Sequence, residues 1–434
     1  MKSSMVSFFL FALGLASAAT LAPRERGERV DYTNFKGLRV TLAEHSQELE
    51  DKIADLSAHI LNPGSQSTLD LVVSPGNVDA IRALVNSTEV VIENMGEALR
   101  EEGEVEEQMQ LFDDGTSTVA AVPPESWFTA YRSYNDHLQF LRDLQGAFPG
   151  QSELVTAGAS SAGRTIQGIH IWGSGGKGSK PAVLFHGTVH AREWITTMTT
   201  EYMAWNLLTK YSSDASIRAL VDKFDFYIMP IVNPDGFVYT QTNDRLWRKN
   251  RQSRSGQSCV GTDNNRNWPY GWSKTGGAST SPCAETYKGL AAGDAPENKG
   301  LISQINTLRS GQGISLYIDF HSYGQYILWP YGDDCQKVDP AETRWQALAT
   351  KARDAIRAVS GTAYTIGNSC RALYMTTGDS TGYLAGTAGA AYAYTYELRP
   401  RSGSGTSGFV LPAAQIQPTV KETFEGVKVM LQGA

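Results

Sequence analysis

Residues 185–194 read FHGTVHAREW, which places two imidazoles and a carboxylate within ten residues. His190 and Glu193 are spaced i, i+3, so a turn or first helical turn puts both side chains on one face. Imidazole and carboxylate are good ligands for zinc, and a catalytic zinc site uses three protein ligands and keeps a position open. An H-x-x-E pair arises often by chance, and a solvated turn is its plain structural reading. Its place gives it weight: it ends an apolar run and directly precedes a helical pattern. His186 lies inside the apolar run and reads as a packed core histidine. The chain has seven histidines. His45 and His59 fall near the N-terminus, His137 on a helix and His170 on an early strand. His321, at the end of the run ISLYIDF, is left as the best third ligand.

These residues need elements to position them. Beyond residue 127 the sequence carries apolar strand-like runs at 168–173, 181–187, 224–233, 314–322 and 391–398, with helical patterns at 134–148 and 195–211. Fully apolar strands alternating with helices predict an α/β fold: a mixed, largely parallel central sheet with helices on both faces. Ligands of such sheets sit outside the carboxyl ends of the strands. Upstream, strands at 37–42 and 69–74, helices at 46–61 and 76–87, and a strand then helix over 89–102 form a small α+β unit. The stretch 101–125 is acidic, then small and polar, then Pro-Pro, and no Lys or Arg lies between Arg100 and Arg132. That composition fits an exposed linker open to proteolysis.

The first 18 residues read as a secretory signal: Lys2, an apolar stretch over 5–15, and Ala16-Ser17-Ala18 as a small-x-small cleavage site. The apolar stretch is too short to span a bilayer. An even count of four cysteines in an oxidising compartment predicts two disulfides, with three pairings possible. A cysteine zinc site lacks any C-x-x-C spacing. The net charge of −7 gives no basic footprint for nucleic acid. The expected organisation is a signal peptide (1–18), a small N-terminal domain with linker (19–115) and a catalytic domain (116–434).

The motifs HGTVHAREWI, NPDGF, RLWRKNR, DNNRNW, SPCAETYKG, DFHSYGQYILWPYG and YTYELR occur in order over about 127–434. In these the chain resembles the secreted zinc metallocarboxypeptidases of the procarboxypeptidase A/B type, and its N-terminal unit resembles their activation domain. The resemblance implies one zinc held by His190, Glu193 and His321, the known His₂Glu ligand set of carboxypeptidase A. It implies that Asp263 orients His190 and that Glu397 is the general base, which takes a proton from water and delivers it to the leaving amine. Glu397 lies on an apolar strand, where a carboxylate needs a strong reason to be; an ion pair with Arg399 is its plain structural reading. Arg248 matches the residue that steadies the developing oxyanion. Asn265 and Arg266 match a clamp for the substrate's terminal carboxylate, since a guanidinium binds carboxylate as a fork. Tyr374 matches a tyrosine that closes over the terminal residue. Arg192, Ser322 and Tyr323 match further substrate contacts. The cysteines match the family pairs Cys259–Cys283 and Cys335–Cys370.

The family's pocket-floor position matches Thr381. A neutral residue there favours apolar or aromatic C-terminal residues, with Ser369 and Thr381 adding polarity. Asp379, two residues away, would instead favour Lys or Arg if it reached the pocket. Every expected catalytic position is filled, which argues against a non-catalytic binding protein. The Asn265–Arg266 clamp and Tyr374 argue against a small-molecule amidase. The expected partners are therefore peptide or protein C-termini, the N-terminal domain as an intramolecular inhibitor, and an activating protease that is not trypsin-like. No nucleic acid, membrane or oligomer is expected. Asn86 heads the only N-x-S/T sequon.

Overall fold

The computed structural model describes residues 29–44, 46–63, 67–103, 105, 121–401 and 408–434. The expected signal peptide and most of the expected linker lie outside these residues.

The N-terminal unit runs β1 (Lys36–Thr41), α1 (Gln47–Leu56), β2 (His59–Ile60), β3 (Thr68–Val73), α2 (Val78–Leu84), β4 (Ser87–Ile92) and α3 (Met95–Glu102). Its strands form one antiparallel sheet in the order β2-β3-β1-β4. Leu38, Val40, Leu69 and Leu71 pack beneath α1 and α2 against Ile53 and Ile81. The predicted helix over 46–61 stops at Leu56. Ser57 is extended, and His59 and Ile60 pair with Val72 and Leu71, so a sheet edge claims the residues that apolar spacing gave to the helix.

The larger part runs α4 (Tyr134–Ala147), β5 (Ser152–Ala159), β6 (Thr165–Ile171), β7 (Ala182–Gly187), α5 (Trp194–Thr209), α6 (Ala215–Lys223), β8 (Asp225–Met229), α7 (Pro234–Thr242), α8 (Pro296–Ser310), β9 (Ile314–Gly324), β10 (Tyr326–Trp329), α9 (Glu342–Ser360), β11 (Thr365–Asn368), α10 (Ser369–Ala372), α11 (Ser380–Tyr383), β12 (Tyr392–Arg401) and α12 (Ile416–Gly433). The sheet order is β11-β10-β12-β9-β7-β8-β6-β5. The inner strands β12, β9, β7 and β8 are parallel, while β6 and β5 are antiparallel at one side and β10 reverses at the other. The sequence reading did not separate out β5, β10 and β11, which lie toward the two edges and lack long apolar runs.

Helices cover both faces, as buried parallel strands require. Val183, Phe185, Ile318, Phe320, Tyr394 and Tyr396 face a core shared with α5, α9 and α12. Leu184, Tyr317 and Ala393 face the other side, with α8, Trp268 and Tyr383. Alternation along the strands then puts His186, Asp319, His321 and Glu397 on this second face. Both disulfides form as the resemblance implied, each with Cα atoms 5.0 Å apart. No helix among the described residues is long and apolar enough to cross a membrane.

Candidate active site

Two parallel strand ends bring the donors together. β7 stops at Gly187, and a tight turn carries His190 and Glu193 before α5 begins. Thr188 takes a left-handed conformation (φ 55°) there, held by its amide donating to Thr196 Oγ1 at 2.8 Å. The turn is pinned further by Asn233 Nδ2 donating to the Val189 carbonyl and by the Ala191 amide donating to the Arg248 carbonyl. β9 pairs with β7 (His186 opposite Asp319) and delivers His321 beside the turn. β12 pairs in parallel with β9 so that Glu397 lies opposite His321.

His190, Glu193 and His321 are buried, and one donor atom from each lies within 4.8 Å of the others. His190 Nδ1 is 2.8 Å from Glu193 Oε1 and 3.2 Å from His321 Nδ1. The far nitrogen of each ring meets a carboxylate: His190 Nε2 with Asp263 at 3.1 Å, and His321 Nε2 with Asp319 at 3.1 Å. With ring protons on these outer nitrogens, the inner lone pairs would be free to face one point. The His₂Glu set fits zinc in donor type and number.

Asp263 carries a second load. Its Oδ2 accepts from Arg248 Nη2 at 2.9 Å and Nε at 3.2 Å. Burial alone would raise its pKa, but Arg248 and His190 outweigh it and hold the carboxyl well below the usual range. Glu193 is likewise drawn down to about 2, against its burial, by the two histidines. Glu397 behaves oppositely. Burial pushes it up to about 8 and outweighs the counter-pull of His321, with the Glu193 charge adding to the rise. Arg399 does not pair with it, because Glu422 takes that guanidinium in a fork at 2.8 and 2.5 Å. The plain ion-pair reading of Glu397 therefore fails, and a raised carboxyl beside a metal-type site is left.

His190, Glu193, Arg248, His321 and Glu397 line one cavity of about 240 Å³, together with Asn265, Arg266, Ser322, Tyr323, Ser369, Tyr374, Asp379 and Thr381. The Arg266 side chain is set by donation to the Gly277 and Asn265 carbonyls. Asp379 caps α11, its Oδ1 accepting from Thr381 Oγ1 and the Gly382 amide at 2.8 Å each.

Leu61, Asn62 and Thr68 of the N-terminal unit form part of the cavity wall. Arg192 is fully buried beneath that unit, donating to the Ile60 and Leu61 carbonyls. Tyr323 donates to Asp70 Oδ2 at 3.0 Å. Two residues expected to meet substrate are thus held by the N-terminal unit. His186 is a core histidine as expected: Tyr317 OH lies 3.2 Å from its Nδ1, and burial lowers its pKa to about 4. The sequence reading missed Asp319, Ser380, Glu285 and the Glu102–Arg245 pair. For Asp319 a signal existed: an acid two residues before His321 shares its strand face.

An α/β sheet that gathers a His₂Glu donor set, an unpaired carboxyl and buried arginines at its strand ends defines a metallohydrolase. The chain belongs to the zinc carboxypeptidase family, whose profile matches residues 137–426. It is 42% identical over 434 residues to metallocarboxypeptidase A of Trichophyton rubrum, covering 99% of this chain and 98% of that protein. It is 41% identical over 302 residues to a zinc carboxypeptidase of Simulium vittatum, covering 70% of this chain and 96% of that one. Among solved structures, carboxypeptidase A from Helicoverpa armigera is similar with a TM-score of 0.77 and 28% identity, covering 94% of this chain and 98% of that chain. The chain is a metallocarboxypeptidase of the A type, acting on peptide C-termini.

Proposed function

We propose that the chain is a secreted precursor of a one-zinc carboxypeptidase that removes apolar and aromatic C-terminal residues and is held latent by its N-terminal unit. The observation that carries this is one cavity shared by His190, Glu193, His321, Glu397, Arg248 and Arg266, with an N-terminal sheet edge in its wall. When bound at the triad, zinc supplies Lewis acidity, acidifying water and polarising the scissile carbonyl. Arg266 and Asn265 take the terminal carboxylate of the substrate, and Tyr374 covers it. Arg248 donates to the carbonyl oxygen as negative charge develops there. Glu397 accepts the water's proton and passes it to the departing amine. Two disulfides fit an oxidising compartment.

Thr381 and the capping duty of Asp379 Oδ1 support the apolar preference. A second reading, release of C-terminal Lys or Arg, rests on Asp379 Oδ2, whose nearest hydrogen-bond partner is Thr376 Oγ1 at 3.5 Å. Peptides ending in Phe, Leu, Lys and Arg, with a C-terminally amidated control, test both. The expected order places Phe and Leu at least tenfold above Lys in kcat/KM, with no release from the amide. Faster Lys release overturns the preference, and equal release from the amide overturns exopeptidase action.

A further inference from the structure

The two histidines of the triad are each backed by an aspartate, but the two aspartates are compensated differently. Asp263 is neutralised by Arg248. Asp319 is 1% exposed, and among the described residues its one ion-pair partner is His321. Its Oδ2 also accepts from Ser380 Oγ at 2.5 Å, while its Oδ1 has no hydrogen-bond partner. A carboxylate buried without a cation is costly unless positive charge lies beyond its partner. A metal held by His321 Nδ1, across the ring from Asp319, would place that charge.

A second contact sharpens the point. Asn265 Nδ2, a donor, lies 3.4 Å from the same His321 Nε2. Asp319 asks that nitrogen to carry the proton, whereas Asn265 asks it to be bare. Only the first tautomer leaves the Nδ1 lone pair facing Glu193 and His190. Ser380 joins the two competitors, since its hydroxyl donates to Asp319 and its amide donates to Asn265 Oδ1 at 2.9 Å. The amide bond holds the Asn265 side chain, and the hydroxyl bond holds Asp319 against the ring.

We propose that Asp319 is a positioning residue that fixes the metal-binding tautomer of His321, and that Ser380 locks it to Asn265 in the expected carboxylate clamp. This rests on the metal reading of the triad. It also makes α11, which carries the pocket residue Thr381, mechanically continuous with a metal ligand.

The test is zinc affinity of the intact chain by chelator competition, with thermal unfolding of zinc-loaded and zinc-stripped protein. Asp319→Asn is expected to raise the zinc dissociation constant by about 10- to 100-fold. Ser380→Ala keeps every charge and is expected to raise it by about three- to tenfold. Asp319→Asn should lower the unfolding temperature of the zinc-loaded protein and leave that of the stripped protein within a few degrees. A purely structural Asp319 would lower both equally, with zinc affinity unchanged, and that result overturns the proposal. Wild-type protein that fails to bind zinc would overturn the metal reading and this role with it. Tight binding by wild type and both variants alike overturns the role alone.

Discussion

Glu397 shows what a single side chain does when its usual partners are occupied. Arg399 is taken by Glu422, Arg248 by Asp263, and the sheet buries the rest. Burial, against the pull of His321, keeps its carboxyl up at about 8 in the metal-free site. General acid–base catalysis contributes roughly 10²- to 10⁴-fold. Glu397→Gln keeps the shape and removes the proton relay. It is expected to lower kcat by that factor while zinc content and KM stay within a few-fold. Steady-state kinetics with metal analysis decides it, and a variant keeping more than a tenth of wild-type kcat would exclude Glu397 as the base. His190, Glu193 and His321 were legible in the sequence because donor types sit at strand ends with fixed spacing, whereas Asp263, Glu397, Arg248, Asn265, Arg266 and Tyr374 entered only through the family resemblance. Asp319 left a signal, an acid two residues before His321 on the same strand face; Ser380 left none, because its importance lies in which carboxylate its hydroxyl reaches and which side chain its amide reaches, and spacing does not encode that.

At the scale of elements, the informative piece is β2, two residues long. The sequence placed these residues in a helix, since Leu56 and Ile60 keep helical spacing. Only pairing with β3 shows them as an edge, and Leu61 and Asn62, which follow that edge, form part of the cavity wall. The larger sheet was legible because its inner strands are nearly unbroken apolar runs. Its edge strands β5 and β11 are only partly buried, and β10 is four residues long, so all three give weaker patterns. His59 on β2 enters a charged nest across the interface, with Asp244 at 3.3 Å, Glu285 at 3.2 Å and Tyr32 OH at 2.8 Å. Burial opposes its charge, yet Asp244 and Glu285 win and raise its pKa from 6.5 to about 9. The raised value means that the charged imidazole stabilises the docked state fully below about pH 6.5, with that stability lost as pH climbs through 9. The linked contribution is on the order of 3 kcal/mol at most. The unfolding temperature of the intact chain should therefore fall between pH 6.5 and 9.5, and the fall should be shallower in His59→Gln. Identical slopes for the two proteins would remove His59 as the source.

At the scale of the whole molecule, the proposed latency would rest on how the N-terminal unit is fastened rather than on the linker alone. The fastenings are spread out. Arg192 holds the Ile60 and Leu61 carbonyls, Tyr323 holds Asp70, and Tyr32, Leu61 and Met95 pack with Leu246, Phe409 and Val410. Glu102, the last residue of α3, grips Arg245 in a buried fork at 2.7 and 2.5 Å, with the guanidinium stacked over Trp194. Cutting the chain beyond Glu102 breaks none of these. Trypsin has no Lys or Arg between Arg100 and Arg132, and cleavage after Arg100 requires the last turn of α3 to unwind against the Glu102–Arg245 pair. A subtilisin-type protease should therefore activate the precursor at least about tenfold faster than trypsin, since a stretch of acidic, small and polar residues is a preferred place for nicking. Activity should also lag behind cleavage, because the severed unit must still dissociate. Glu102→Ala leaves Arg245 buried without its partner, a loss of roughly 3–5 kcal/mol in such pairs, so it should shorten or abolish the lag without changing the rate of cutting. Gel densitometry and peptide hydrolysis followed on the same digest separate the two clocks. If activity rises in step with cleavage in the wild type, the fastenings do not hold the severed unit. If trypsin matches the subtilisin, α3 does not guard Arg100.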